Sequence, residues 1–167
     1  AELALQLFDG LKKVLEMDDD QRFILESAAL LSNVGLSISH SKHHLHTYYI
    51  IKHADMLGFR ERDIELIAQI ARYHRKSKPK NSHEAFMTLD ESDKHVVRAM
   101  ASVLRIAIGL DRSHDGRVRQ VSVTKKNSKI EIVTKSRGDE DLGVNIYSAR
   151  ERSDLLCDVT GCTVEID

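Results

Sequence analysis

Four histidines crowd into seven residues of this chain: His40, His43, His44 and His46, within "SHSKHHLH". Imidazoles at such spacing can ligate a metal, since His40 with His44 or His43 with His46 would share a helix face. They can also join an anion-binding surface. If Ser41 opens a helix, the cluster and Lys42 lie beside the unpaired amide donors and the positive dipole end of its first turn. Histidine alone seldom completes a metal site, and this stretch supplies neither carboxylate nor thiol, so the balance tilts toward the anion reading, with plain surface histidines as the bland alternative. His53, two turns beyond His46, is expected to be a hydrogen-bonded core residue.

A second concentration of charge is "ARYHRKSKPK", in which Arg72, His74, Arg75, Lys76, Lys78 and Lys80 follow one another with no acid between them. Such a run is ordinarily a solvated face. Here it ends an apolar helical stripe and enters a loop, where guanidinium forks and ammonium point charges suit phosphate oxygens. Asp111 continues the stripe of Leu104, Ala107 and Ile108, which predicts an inward carboxylate in need of a partner such as a metal, His74 or Arg72.

These side chains need a frame, and the periodicity supplies a mainly helical one. Apolar residues at helical spacing mark helices over Leu3–Leu15, Phe23–Leu31 with Gly35 as its stop, Ser41–Gly58, a stretch from Asp63, and Glu91–Asp111. Beyond Arg112 the period becomes two: Val121 and Val123, a turn at Lys126, Asn127 and Ser128, then Ile130 and Ile132 predict a hairpin. A short helix over Ile146–Val159, closed by Gly161, and a strand over Thr163–Ile166 complete a ββαβ pattern. The organisation expected is therefore a helical domain, 1–113, followed by a small α+β subdomain, 114–167.

At 167 residues and a net charge of −1, the chain can bury an ordinary core and is not globally basic, which argues against a specific nucleic-acid binder. Its apolar runs are far too short for a membrane span, and its first residues lack a secretory pattern, so a cytoplasmic location is expected. Cys157 and Cys162 are too few for a disulfide framework or a four-cysteine zinc site.

"LALQLFDGL", "SHSKHHLHTYYIIKHADMLGF", "IARYHRKSKPK" and "LRIAIGLDRSH" together resemble the C-terminal part of the exopolyphosphatase and guanosine pentaphosphate phosphatase family. The resemblance implies an HD-like helical bundle, standing in a longer enzyme behind two actin-like domains that hydrolyse a terminal phosphoanhydride with Mg²⁺. It implies inorganic polyphosphate or guanosine pentaphosphate as partner, and the upstream domains of the same chain as another. At positions resembling the HD metal site the sequence offers Ser32 and Asn33 where a histidine and a carboxylate belong, and only Asp111 matches. No catalytic residue, metal or cofactor is therefore expected within this chain. The expected role is an accessory module whose His40–His46 cluster and Arg72–Lys80 segment hold phosphate. The rivals are a free-standing HD-type phosphohydrolase and a structural module that packs against a second copy.

Overall fold

A computed structural model describes residues 1–136, 138 and 140–167. Its helices are α1 (Glu2–Leu11), α2 (Asp20–Leu31), a 3₁₀ turn (Val34–Ser37), α3 (His43–Lys52), α4 (Glu61–Arg72), α5 (Glu84–Met87) and α6 (Glu91–Leu110). The strands β1 (Val118–Lys126) and β2 (Lys129–Ser136), the helices α7 (Gly143–Arg150) and α8 (Asp154–Thr160), and the strand β3 (Thr163–Ile166) follow. The fold is mainly α with a small α+β part, as the periodicity predicts.

The central element is α6. Asp90 caps it by accepting a 2.7 Å hydrogen bond from the backbone N–H of Asp93. It is buried nearly all round, because α1, α4, α7 and α8 each lie against it. The buried faces follow helical spacing: Ala4, Leu7, Phe8 and Leu11 on α1, and Leu66, Ile67, Ile70 and Ala71 on α4. Phe86, on the α5 turn that periodicity missed, is fully buried against Tyr73.

The hairpin forms with Lys126 opposite Lys129, and β3 adds to β2 in parallel, so the sheet order is β1-β2-β3. A parallel neighbour demands a crossover, and α7 with α8 supplies it. Two helices stand where one was expected over Ile146–Val159, because the chain turns at Glu151–Ser153. The sheet approaches α1 closely enough that a Cβ on Gly10 would lie 2.7 Å from Val123 Cβ.

Three predicted boundaries differ. Periodicity carried α1 to Leu15, but the helix ends at Leu11 and Leu15 is buried from the following turn, which closes at Glu16 in the left-handed region. Periodicity ran α3 to Gly58, but it stops at Lys52; Gly58, at φ 87°, serves the Met56–Phe59 turn. Gly35 is no helix stop, since α2 ends four residues earlier. It lies inside the 3₁₀ turn, where any Cβ would collide with the α3 backbone at His43 and Thr47. Its N–H donates to the buried Thr47 hydroxyl at 3.0 Å, and that hydroxyl donates to the Ser32 carbonyl at 3.1 Å. Absence of a side chain thus seats α3 against the end of α2.

Candidate functional site: a cationic face on α3 and α4

Packing of α3 on α4 brings the two charge-bearing segments together. The rings of His43 and His74 stack with their centroids 5.3 Å apart, and their Nε2 atoms are separated by 3.3 Å. His74 Nδ1 lies 2.6 Å from the Ala71 carbonyl, so this nitrogen carries the proton and Nε2 of the same ring must accept. His43 then donates through Nε2, and one nitrogen of the Arg75 guanidinium lies against the same ring, 3.2 Å from its Nδ1 and 3.4 Å from its Nε2. The result is a relay from His43 through His74 to the carbonyl of Ala71, with Arg75 packed on its first ring. Both imidazoles are neutral in it.

The environment enforces that neutrality. Burial, seconded by the surrounding cations, pushes His74 down to about 4 and His44 likewise to about 4. His43 and His83 are lowered as well, again chiefly by burial. These histidines accordingly add no positive charge near neutral pH, contrary to the cationic cluster that their number suggested. Positive charge on this face resides in arginine and lysine.

His74 makes this testable, being only 3% exposed. Unfolded, it takes a proton near the ordinary histidine value of 6.5; folded, only near 4. Between those limits the unfolded state binds more protons, so the stabilisation is complete above pH 6.5 and is lost as pH falls toward 4. Urea unfolding followed from pH 7 to pH 4 should show a decline to which His74 contributes on the order of 3 kcal/mol, and His74→Gln should flatten that slope. An unchanged slope would contradict a neutral His74.

Arg72 lies over the Tyr48 and Tyr73 rings at 5.6 and 5.2 Å, and the Tyr73 hydroxyl meets His83 Nδ1 at 2.8 Å. Together with His44, Leu45 and Ser77, the residues Arg72, Tyr73 and His83 line a cavity of about 220 Å³. Among the described residues, Arg72, Arg75, Lys76 and Lys80 pair with no carboxylate. Lys42 starts α3 with φ 55°, and Lys76 turns the loop with φ 61°. His40 is exposed, whereas His46 is partly covered. Lys78 differs from its neighbours: it points to α8 and pairs with Asp154 and Asp158 at 2.9 and 2.5 Å. His53 is exposed, not a core residue, and its ring rests 4.6 Å from that of Tyr49, because α3 ends just before it.

Ser32, Asn33 and Asp111 do come together, lining a separate cavity of about 320 Å³ with Leu104, Ile108 and His114. Asp111 is not the buried acid that its stripe predicted. It caps the end of α6, where the chain leaves the helix, with its side chain 49% exposed and His114 at 3.4 Å. The Ser32 hydroxyl donates to the Ala29 carbonyl at 2.9 Å. Their half-exposed carboxylate, committed hydroxyl and amide do not fit a divalent hydrolytic ion, and Glu2, which also lines the cavity, does not converge with Asp111 and His114 into a metal-holding group among the described residues. Among the described residues, no three histidine, cysteine or acidic side chains converge elsewhere.

Fold and site define a mainly helical module with an accumulation of unpaired arginine and lysine at the end of one helix. None of its helices is long and apolar enough to cross a membrane among the described residues. A family model described as Ppx/GppA phosphatase, domain III matches residues 1–142. The chain belongs to the Ppx/GppA phosphatase family. Two proteins named guanosine-5'-triphosphate,3'-diphosphate pyrophosphatase are similar to it. That of Pseudoalteromonas atlantica is 32% identical over 107 residues, which is 64% of this chain and 21% of the relative. The one from Pseudoalteromonas translucida is 26% identical over 110 residues, 65% of this chain and 21% of the relative. The chain spans about a fifth of the length of these relatives.

Proposed function

We propose that this chain is a substrate-holding module that binds a phosphate polymer, inorganic polyphosphate above all, while other domains of the same polypeptide hydrolyse its end with Mg²⁺. The observation that carries the reading is the set Arg72, Arg75, Lys76 and Lys80, gathered at one helix end with no carboxylate neutralising them among the described residues, beside histidines that burial keeps neutral. Charge of this kind attracts an extended polyanion, and the imidazoles of His40, His44 and His46 offer hydrogen bonds at its border. Family membership supports a phosphatase context. The names of the relatives raise guanosine pentaphosphate as the alternative substrate, which presents a shorter run of phosphates to the same cations.

Holding several residues of a chain raises the effective concentration of its end at a linked active site, so this module would favour repeated cleavage without release. The test is titration of the chain with long-chain polyphosphate at low and at raised salt, with and without Mg²⁺, while released phosphate is assayed. Saturable binding that weakens with salt, without phosphate release, is the expected result. Absence of binding at low salt would overturn the reading, and Mg²⁺-dependent release would make the chain itself a hydrolase.

A further inference from the structure

Arg105 stands in the middle of α6, a helix buried on nearly all sides, and is itself only 7% exposed. A guanidinium so placed is costly unless a carboxylate grips it. The one acid within 4 Å among the described residues, Asp154, lies 3.7 Å from Nη2, is half-exposed and is already held by Lys78 at 2.9 Å. The buried Nε meets no partner among the described residues.

What Arg105 does hold is backbone. Its Nη1 donates to the carbonyls of Tyr73 and Lys76, both at 3.3 Å. Tyr73 closes α4, and the end of a helix presents carbonyls without partners and the negative pole of the dipole, so a guanidinium there answers both needs. Lys76 lies three residues further on at φ 61°, in the left-handed region that a lysine seldom adopts by itself. Arg105 thus bridges the two ends of one tight turn. Lys78 pins the same loop at a second point, through Asp154 and Asp158 on α8. Arg75 is inside the clamped turn, with its guanidinium 3.2 Å from His43 Nδ1, and Lys76 is at its end.

We infer that Arg105 is the positioning residue of the polyanion-binding face: from inside the fold it clamps the Tyr73–Lys76 turn and so fixes in advance where Arg75 and Lys76 present their charges. The inference rests on the polymer-holding reading and adds to it a residue that does not touch the polymer. A turn already ordered has less freedom to lose when a polyanion arrives, so the same contacts give tighter binding.

The test is calorimetric titration of the unaltered chain, Arg105→Met and Arg105→Lys with long-chain polyphosphate at several salt concentrations, with thermal unfolding to show that each variant is folded. Arg105→Met should bind about tenfold more weakly at low salt, yet lose affinity with salt as steeply as the unaltered chain, because the phosphates neutralised are the same in number. Arg105→Lys, whose ammonium can donate to the same carbonyls, should recover most of that loss. NMR relaxation of the backbone amides of residues 73–76 should show the turn loosened in Arg105→Met and ordered in Arg105→Lys. Unchanged affinity in a folded Arg105→Met would reduce Arg105 to a brace of the core and refute its positioning role. A shallower salt dependence would refute it too, by placing Arg105 on the polymer. If Arg105→Met does not fold, the unaltered chain decides: the turn should be as ordered before polyphosphate is added as after, and a turn that becomes ordered only on binding would end the proposal. Failure of the polymer reading is distinguishable, since the unaltered chain would then bind no polyphosphate at low salt, and both ideas would fall together. Binding that is lost in Arg75→Gln, Lys76→Gln, Lys80→Gln but kept in Arg105→Met would remove the role of Arg105 alone.

Discussion

The triple variant Arg75→Gln, Lys76→Gln, Lys80→Gln should bind long-chain polyphosphate roughly 100-fold more weakly than the unaltered chain at low salt. Each substitution keeps an aliphatic stem and removes a positive charge that pairs with no acid among the described residues. Hydrogen bonds to charged partners contribute about 1.5–3 kcal/mol apiece, and losing part of three of them gives a deficit of roughly that size. The dependence of affinity on salt should become shallower as well, because fewer counterions are released on binding. Calorimetric titration at several salt concentrations checks both. A variant of unchanged affinity would place the polymer elsewhere, and its thermal unfolding would show that the fold persisted, since none of the three side chains belongs to the buried core.

Gly109→Val should destabilise the chain by at least about 3 kcal/mol, near the top of what overpacking costs in a core. Contact at this point is backbone against backbone: a Cβ would stand 2.5 Å from Ala149 Cα, 2.7 Å from its nitrogen and 2.8 Å from the Ser148 carbonyl oxygen. No flexible side chain is available to give way. Either α7 separates from α6 or both helices shift, and each outcome exposes the buried Asn145, whose amide donates to the Leu110 carbonyl at 2.7 Å. Urea unfolding measures the loss. Equal stability would mean that the two helices are not in this close contact.

The hairpin, the final strand and the long α6 were legible because each carries a clear period: two in Val121–Val123 and Ile130–Ile132, and 3.6 across Val97 to Ile108. Single residues at element ends were harder to read. Asp111 continues the apolar stripe on paper, yet the chain leaves the helix at that residue and its carboxylate swings to solvent. His53 fails for the same reason at the end of α3. The pairing of His43 with His74 depends on which faces of α3 and α4 meet, and a linear pattern does not encode that. Likewise, the commitment of Lys78 depends on Asp154 and Asp158, about eighty positions away in the chain. Arg105, set between Leu104 and Ile106 in a helix buried nearly all round, carries in the sequence the same signal of a buried charge as Asp111.

The relay from His43 through His74 to the Ala71 carbonyl also fixes where protons are available. The N–H of each ring is spent inside the fold, His43 on His74 and His74 on Ala71, and the His74 lone pair receives the His43 N–H. Neither buried ring therefore has a proton left to give a phosphate oxygen, and His74 has no lone pair left for a divalent cation. The two buried imidazoles brace α3 against α4, and contact with a polyanion falls to the arginine and lysine side chains around them.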